Sequence, residues 1–229
     1  MRIFAIIGCL LAFLAGCAGQ APKERGDILV LGDSIMAWNG SNAIPDVIER
    51  TLNRQVISRA VSGAQFDNAS RLAGAVGFDI QRQYPGGSWN WIVLDGGAND
   101  LGFGDCGCGN CTAAVDRLIA ADAASGLIPS FITRMRAESG AQVIWMGYYA
   151  GNGKGSFKGC RDDLVRMEAR IARFAAATPG VQFIDSEDVI DPADPTVFAS
   201  DNTHPSVKGS ALIGTYLAQA IAKRSQSAD

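Results

Sequence analysis

The chain has 229 residues, of which 48% are hydrophobic and 19% charged, enough apolar material for one sizeable core. Against 23 acidic residues stand 20 basic ones, a net charge of -3, and the Lys and Arg residues are scattered rather than clustered. Such a distribution offers no electrostatic footprint for nucleic acid, so polyanions are not expected partners.

Residues 1–16 read as a processing signal: Arg2 gives a positive start, residues 3–14 are apolar, and Leu14-Ala15-Gly16-Cys17 closes the segment with small residues. The apolar run is too short to span a membrane as a mature helix. The closing tetrapeptide resembles a bacterial lipobox, which implies cleavage before Cys17, a lipid on its thiol, and an exported protein on the periplasmic face of a membrane. Ala18 follows rather than an aspartate, which within that resemblance points to the outer membrane. Residues 17–25 then form the lipidated cysteine and a polar tether, and residues 26–229 the folded domain.

The domain opens with a strand over 27–31, an apolar run ending abruptly in Gly32-Asp33-Ser34. Ile44, Val47, Ile48 and Leu52 recur at helical spacing, with Pro45 in the first turn and Ser41 or Asn42 as cap. A second strand is expected over 55–61, closed by Ser62-Gly63. Residues 64–88 have little periodicity. The third strand, 91–94, runs into Asp95-Gly96-Gly97-Ala98-Asn99-Asp100. Glycine and cysteine crowd residues 101–127, an elaborated loop with a short helix over 113–124. A helix from Ile128 to Gly140, a strand over 143–146, a helix through Leu164 and Phe174, a strand over 181–184 and a last helix over 212–221 complete the chain. Short apolar strands alternating with helices predict an α/β protein: a three-layer α/β/α sandwich around a five-stranded parallel sheet.

Beyond Cys9 in the leader and Cys17, four cysteines remain: Cys106, Cys108, Cys111 and Cys160. In an oxidising compartment two disulfides are the default, with three pairings open, and a closed four-thiolate zinc site is the rival. The expected arrangement staples the 101–127 insertion over the mouth of a site, making that insertion the selector of substrate. Trp38 and Trp89 are candidates for a substrate groove or for packing.

His204 is the only histidine. A serine nucleophile needs a base near neutral pH, and imidazole suits that task. It lies in the polar loop Ser200-Asp201-Asn202-Thr203-His204-Pro205, where Asp201 can fold back to orient the ring. Alone, Gly32-Asp33-Ser34 is equally a helix cap and a nucleophile turn. Together, Gly32-Asp33-Ser34, Gly63, Gly97-Ala98-Asn99-Asp100 and Asp201-x-x-His204 resemble the SGNH hydrolase superfamily, the GDSL esterases and lipases. The resemblance implies a flavodoxin-like fold with Ser34 as nucleophile and Asp201 and His204 completing a triad. It assigns the oxyanion hole to the Ser34 backbone N–H, Gly63 and Asn99. No metal or cofactor is required. Asp33 and Asp100 read as supports, Asp33 bonding turn N–H groups and Asp100 fixing the loop of Asn99.

Rival motifs fall short. Met36 stands where an α/β-hydrolase elbow needs glycine, and Gly155 stands where a phosphate loop over 151–156 needs a hydroxyl. The loop 151–156 therefore reads as flexible, and the acidic run 185–188 as a polar turn. The expected activity is hydrolysis of a carboxylic ester (acyl, O-acetyl or lipid) through an acyl-enzyme on Ser34. Acyl transfer to an envelope glycan and a non-catalytic binding role on the same fold are the alternatives, and the oligomeric state is open.

Overall fold

The apolar runs of the sequence become the strands of one sheet, and three of them, residues 28–31, 91–94 and 143–146, are buried along their whole length. The computed structural model describes residues 24–226 except 69 and 105; the leader 1–16 and Cys17 lie outside the described residues. In chain order the elements are β1 (Arg25–Leu31), α1 (Ser34–Ala37), α2 (Ile44–Leu52), β2 (Val56–Ser58), α3 (Arg71–Ala75), α4 (Ile80–Gln83), β3 (Ser88–Leu94) and α5 (Ala98–Gly102). Then follow α6 (Thr112–Leu118), α7 (Leu127–Ser139), β4 (Gln142–Gly147), α8 (Arg161–Ala177), β5 (Val181–Asp185) and α9 (Val207–Gln226). All five strands are parallel, in the order β2-β1-β3-β4-β5.

The order reverses between β1 and β3, and open α/β sheets bind ligands beyond the carboxyl ends of strands at such a switch point. Ile28 to Leu31, Ile92 to Leu94 and Ile144 to Met146 have no exposed surface, and each such aliphatic side chain contributes about 1.5–3 kcal/mol by burial. Helices α2 and α9 pack together on one face; α6, α7 and α8 form a contiguous group with β3, β4 and β5.

Several boundaries differ from the sequence reading. β1 begins at Arg25, within the expected tether, because Glu24 already accepts a backbone bond from Ser88 (3.0 Å). β2 stops at Ser58, short of 61: beyond it the chain stays beside β1 only through the Arg59 N–H to Val30 and the Val61 N–H to Gly32. Helix α2 is capped by Ala43, not Ser41 or Asn42, which lie in a preceding 3-10 turn with no capping side chain. Residues 64–88 hold α3 and α4, too short to show a period.

Candidate active site

At the end of β1 the backbone must turn sharply to leave the sheet, and Gly32 does so at φ 146°. A Cβ on Gly32 would fall on the Asp95 carboxylate, so the position is closed to other residues. Gln83 clamps this glycine from both sides: the Gly32 N–H donates to Gln83 Oε1 (2.7 Å), and Gln83 Nε2 donates to the Gly32 carbonyl (2.9 Å).

The next two residues settle which one is the cap. Asp33 is the N-cap of α1, its Oδ1 accepting from the Ile35 N–H at 2.9 Å. Ser34, the first helical residue, lines the cleft above the sheet edge, and its hydroxyl makes no hydrogen bond among the described residues. The serine is therefore not spent on capping.

Beneath it lies a buried polar network. Tyr148, just after β4, donates its hydroxyl to Asp33 Oδ2 (2.6 Å) and accepts from the Ala98 N–H (3.3 Å). Asp95, at the end of β3, accepts from the Asp33 N–H (2.9 Å), while its Oδ2 has no partner among the described residues. Burial drives the Asp95 carboxyl well above the ordinary range, the charge of Asp33 adding to it. Asp33 is raised less, because the Tyr148 hydroxyl and the Ile35 N–H stabilise its ionised form against burial.

Asn99 sits on the first turn of α5 with 3% of its surface exposed. Its amide Nδ2 donates to the Ala64 carbonyl (2.9 Å) and faces Asp33 Oδ2 at 3.4 Å, long enough for that second proton to be redirected. Gly63 turns at φ 84°, one residue before the carbonyl that Asn99 holds. Asp100 completes the tie by accepting from the Phe66 N–H (2.9 Å) and the Asp67 N–H (2.6 Å). Burial raises the Asp100 carboxyl to about 6 in spite of those two bonds. The segment after the Gly63 turn is therefore tied to α5.

His204 arrives from a different layer. Asp201 Oδ2 holds the ring at Nδ1 (2.6 Å), and its Oδ1 accepts from the backbone N–H groups of Thr203 and His204, both at 3.0 Å. Burial raises the Asp201 carboxyl, but the imidazole and those N–H donors outweigh it and leave it below its ordinary value. Trp38, one turn beyond Ser34, stacks on the imidazole with centroids 3.8 Å apart and planes 8° from parallel. Asn39 secures the same junction, its Nδ2 donating to the Pro205 carbonyl (3.0 Å) and to Ser210 Oγ (2.8 Å). Trp89, by contrast, is buried at the far end of β3, with Nε1 bonded to the Gly86 carbonyl.

The cleft has a volume of about 240 Å3. Its floor is Ile35, Ala98, Tyr148, Tyr149 and Leu164, and its outer wall is Gly151, Gly153, Gly155, Phe157, Lys158 and Arg161. No described residue of 101–127 lines it. This corrects the expectation that the insertion lies over the mouth of the site; the wall there is instead the glycine-rich segment that reads as a flexible loop. That segment is tied down by Asn152 Nδ2 to Asn202 Oδ1 (2.9 Å), the Ser156 N–H to Thr203 Oγ1 (3.0 Å) and the Tyr149 hydroxyl to the Thr203 carbonyl (2.7 Å).

The insertion buttresses the wall from behind. Its cysteines pair as Cys106–Cys111 and Cys108–Cys160, so all four sulfurs are in disulfides and the zinc alternative has no thiolates to use. Cys160 immediately precedes α8, and Phe103 packs edge-on against Phe157 of the wall. The acidic run 185–188 is engaged elsewhere: Asp185 caps a 3-10 turn, Glu187 pairs with Arg161, and Asp188 accepts from the Tyr216 hydroxyl.

The GDSL-like lipase/acylhydrolase family matches residues 30–212, a span that runs from before Gly32 to beyond His204. The chain belongs to that family. Its reaction class is accordingly ester hydrolysis. Among solved structures, it is similar to an SGNH hydrolase, so described, from Slackia heliotrinireducens (21% identity, 86% of this chain and 100% of that one, TM-score 0.59). It is also similar to a carbohydrate acetylesterase family member from Sinorhizobium meliloti (15% identity, 86% and 97%, TM-score 0.61). A third is a Streptococcus pneumoniae protein described as a platelet activating factor (14% identity, 88% and 86%, TM-score 0.63). At these identities the likeness is one of fold. No curated protein matches the chain significantly.

Tyr148, Asp95 and Gln83 are residues of the site to which the sequence reading gave no role, and Trp38, read as lining a groove or packing, instead stacks on His204. Only Trp38 carried a local signal, four positions after Ser34 and so on the same side of a helical turn.

Proposed function

We propose that the protein is a serine esterase that cleaves carboxylic esters through an acyl-enzyme on Ser34, anchored in a bacterial envelope through lipidated Cys17. The observation that carries the reading is the Trp38–His204 stack, which brings the imidazole onto the helix that begins at Ser34 while Asp201 occupies Nδ1. Nε2 is then the nitrogen left to take the serine proton. Ser34 Oγ attacks the acyl carbon and His204 returns its proton to the departing alcohol. A water, activated in the same way, then releases the acid. The developing oxyanion is received by the backbone N–H groups of Ser34 and Gly63 and by the second proton of Asn99 Nδ2, each such donor being worth about 2.7–4 kcal/mol.

A fluorophosphonate probe should modify the folded protein at Ser34, and Ser34→Ala should abolish both labelling and p-nitrophenyl acetate hydrolysis with the melting temperature nearly unchanged. Protein that stays unlabelled at Ser34 and inert to short aryl esters overturns the reading. The anchoring has its own check: Cys17→Ser should move the protein from the membrane to the soluble fraction, and unchanged partitioning would remove the lipid from the account.

A further inference from the structure

We infer that the cleft beside Ser34 selects esters carrying an anionic group, held at the rim by Lys158; the inference rests on the esterase reading above. The cleft has an apolar floor, with Ile35, Ala98, Tyr148, Tyr149 and Leu164 all buried, so it accepts hydrocarbon near the reacting carbonyl. Among the described residues its charged lining is Asp33, Lys158 and Arg161.

Two of these three are already committed. Asp33 is 1% exposed, with Oδ1 on the Ile35 N–H and Oδ2 on the Tyr148 hydroxyl, and so is turned away from a ligand. Arg161 is paired with Glu187. Lys158 is exposed, and no carboxylate pairs with its ammonium among the described residues. A cation at the edge of an apolar cleft, where the lining carboxylate among the described residues is the buried and already hydrogen-bonded Asp33, attracts an anion at that point.

The backbone that carries Lys158 is also pinned, which a recognition residue requires. Its N–H donates to the Gly155 carbonyl (3.3 Å), and Phe157 on one side packs against Phe103. Two residues further on, Cys160 is fully buried and disulfide-bonded to Cys108. Lys158 thus lines the apolar cleft from a fixed stretch of backbone. An ester with a short hydrocarbon segment and a terminal carboxylate or phosphate matches this lining; the shared chemistry is the anion.

The test compares two aryl esters with the same four-carbon acyl chain, p-nitrophenyl butyrate and mono-p-nitrophenyl succinate, which end in a methyl and a carboxylate. The quantity read is the ratio of kcat/KM for the succinate to that for the butyrate. In Lys158→Gln this ratio should fall about fivefold, the upper end of what an exposed ion pair supplies. It should fall further in Lys158→Glu, return in Lys158→Arg, and shrink with added salt in the unmodified protein and in Lys158→Arg but not in Lys158→Gln. A ratio that is the same in all four proteins, with both esters hydrolysed, overturns this inference and leaves the esterase reading standing. If neither ester is hydrolysed, binding of both to Ser34→Ala decides. Binding of the succinate that depends on Lys158 keeps the anion site and sinks the esterase reading; binding independent of Lys158 sinks the anion site as well.

Discussion

The two halves of the candidate site are built on different principles. The half that carries Ser34 and Asn99 grows from the carboxyl edge of the sheet, where Gly32, Asp33, Asp95 and Asn99 are locked by hydrogen bonds that water hardly reaches. The half that carries His204 is a loop between the 3-10 turn at residues 195–197 and α9, half-exposed and held by contacts from its neighbours: a tryptophan face, an asparagine amide and a tyrosine hydroxyl. Low dielectric makes the first half unforgiving, since removing one partner strands another buried polar group. The second half is shallow, and losing a contact there releases a loop rather than breaking a core.

The contrast sets an order of effects. Asn99→Ala should have the largest, lowering kcat by about 10^2 to 10^3 and the melting temperature with it, because the Ala64 carbonyl loses its partner together with the oxyanion donor. Steady-state kinetics and a thermal melt on the same preparation check this. Trp38→Ala should cost about tenfold in kcat, the scale of one aromatic contact, with little change in melting temperature. A Trp38 variant more damaged than the Asn99 variant would break the comparison, since the loop half would then carry the rigidity.

The smallest effect concerns stability alone. Burial raises Glu168, which accepts from the Tyr148 N–H at 2.5 Å, to about 8 from a reference near 4.5. Between those values the folded state holds a proton that the unfolded state has lost. The contribution is therefore present in full below about pH 4.5 and is lost as pH rises through about 8. Asp100, raised to about 6, acts with the same sign over a lower window. Melting temperature should decline from pH 5 to pH 8, and Glu168→Gln should make that decline shallower; an unchanged slope would show that Glu168 is not the group that titrates.

What the sequence made legible follows the same division. Strands β1, β3 and β4 were readable because burial on both faces writes itself as an unbroken apolar run, and the residues at their ends fall at one sheet edge by topology alone. Gly32, Ser34, Gly63 and Asn99 could therefore be placed together from motif order. Gln83 could not: it clamps Gly32 from 51 positions away, and a glutamine in a polar stretch shows no local sign of burial. Tyr148 and Asp95 were hidden likewise, since a polar side chain next to an apolar run looks like the start of a loop until its partner is seen. The substrate wall was misread for a converse reason. Residues 151–155 contain three glycines and look mobile, yet hydrogen bonds donated to Asn202 and Thr203 and the disulfide beyond them supply the restraint that the glycines themselves lack.

The Cys108–Cys160 bridge closes a loop across 52 positions, which in the chain-entropy account contributes about 4 kcal/mol. None of the five strands contains a cysteine, so the sheet draws nothing from this bond directly, whereas the outer wall of the cleft is fastened by it. Scaffold and pocket thus answer to different conditions. Thiol reductant acts first on the shape of the pocket, and an oxidising environment becomes a determinant of which molecules fit as much as of whether the chain folds.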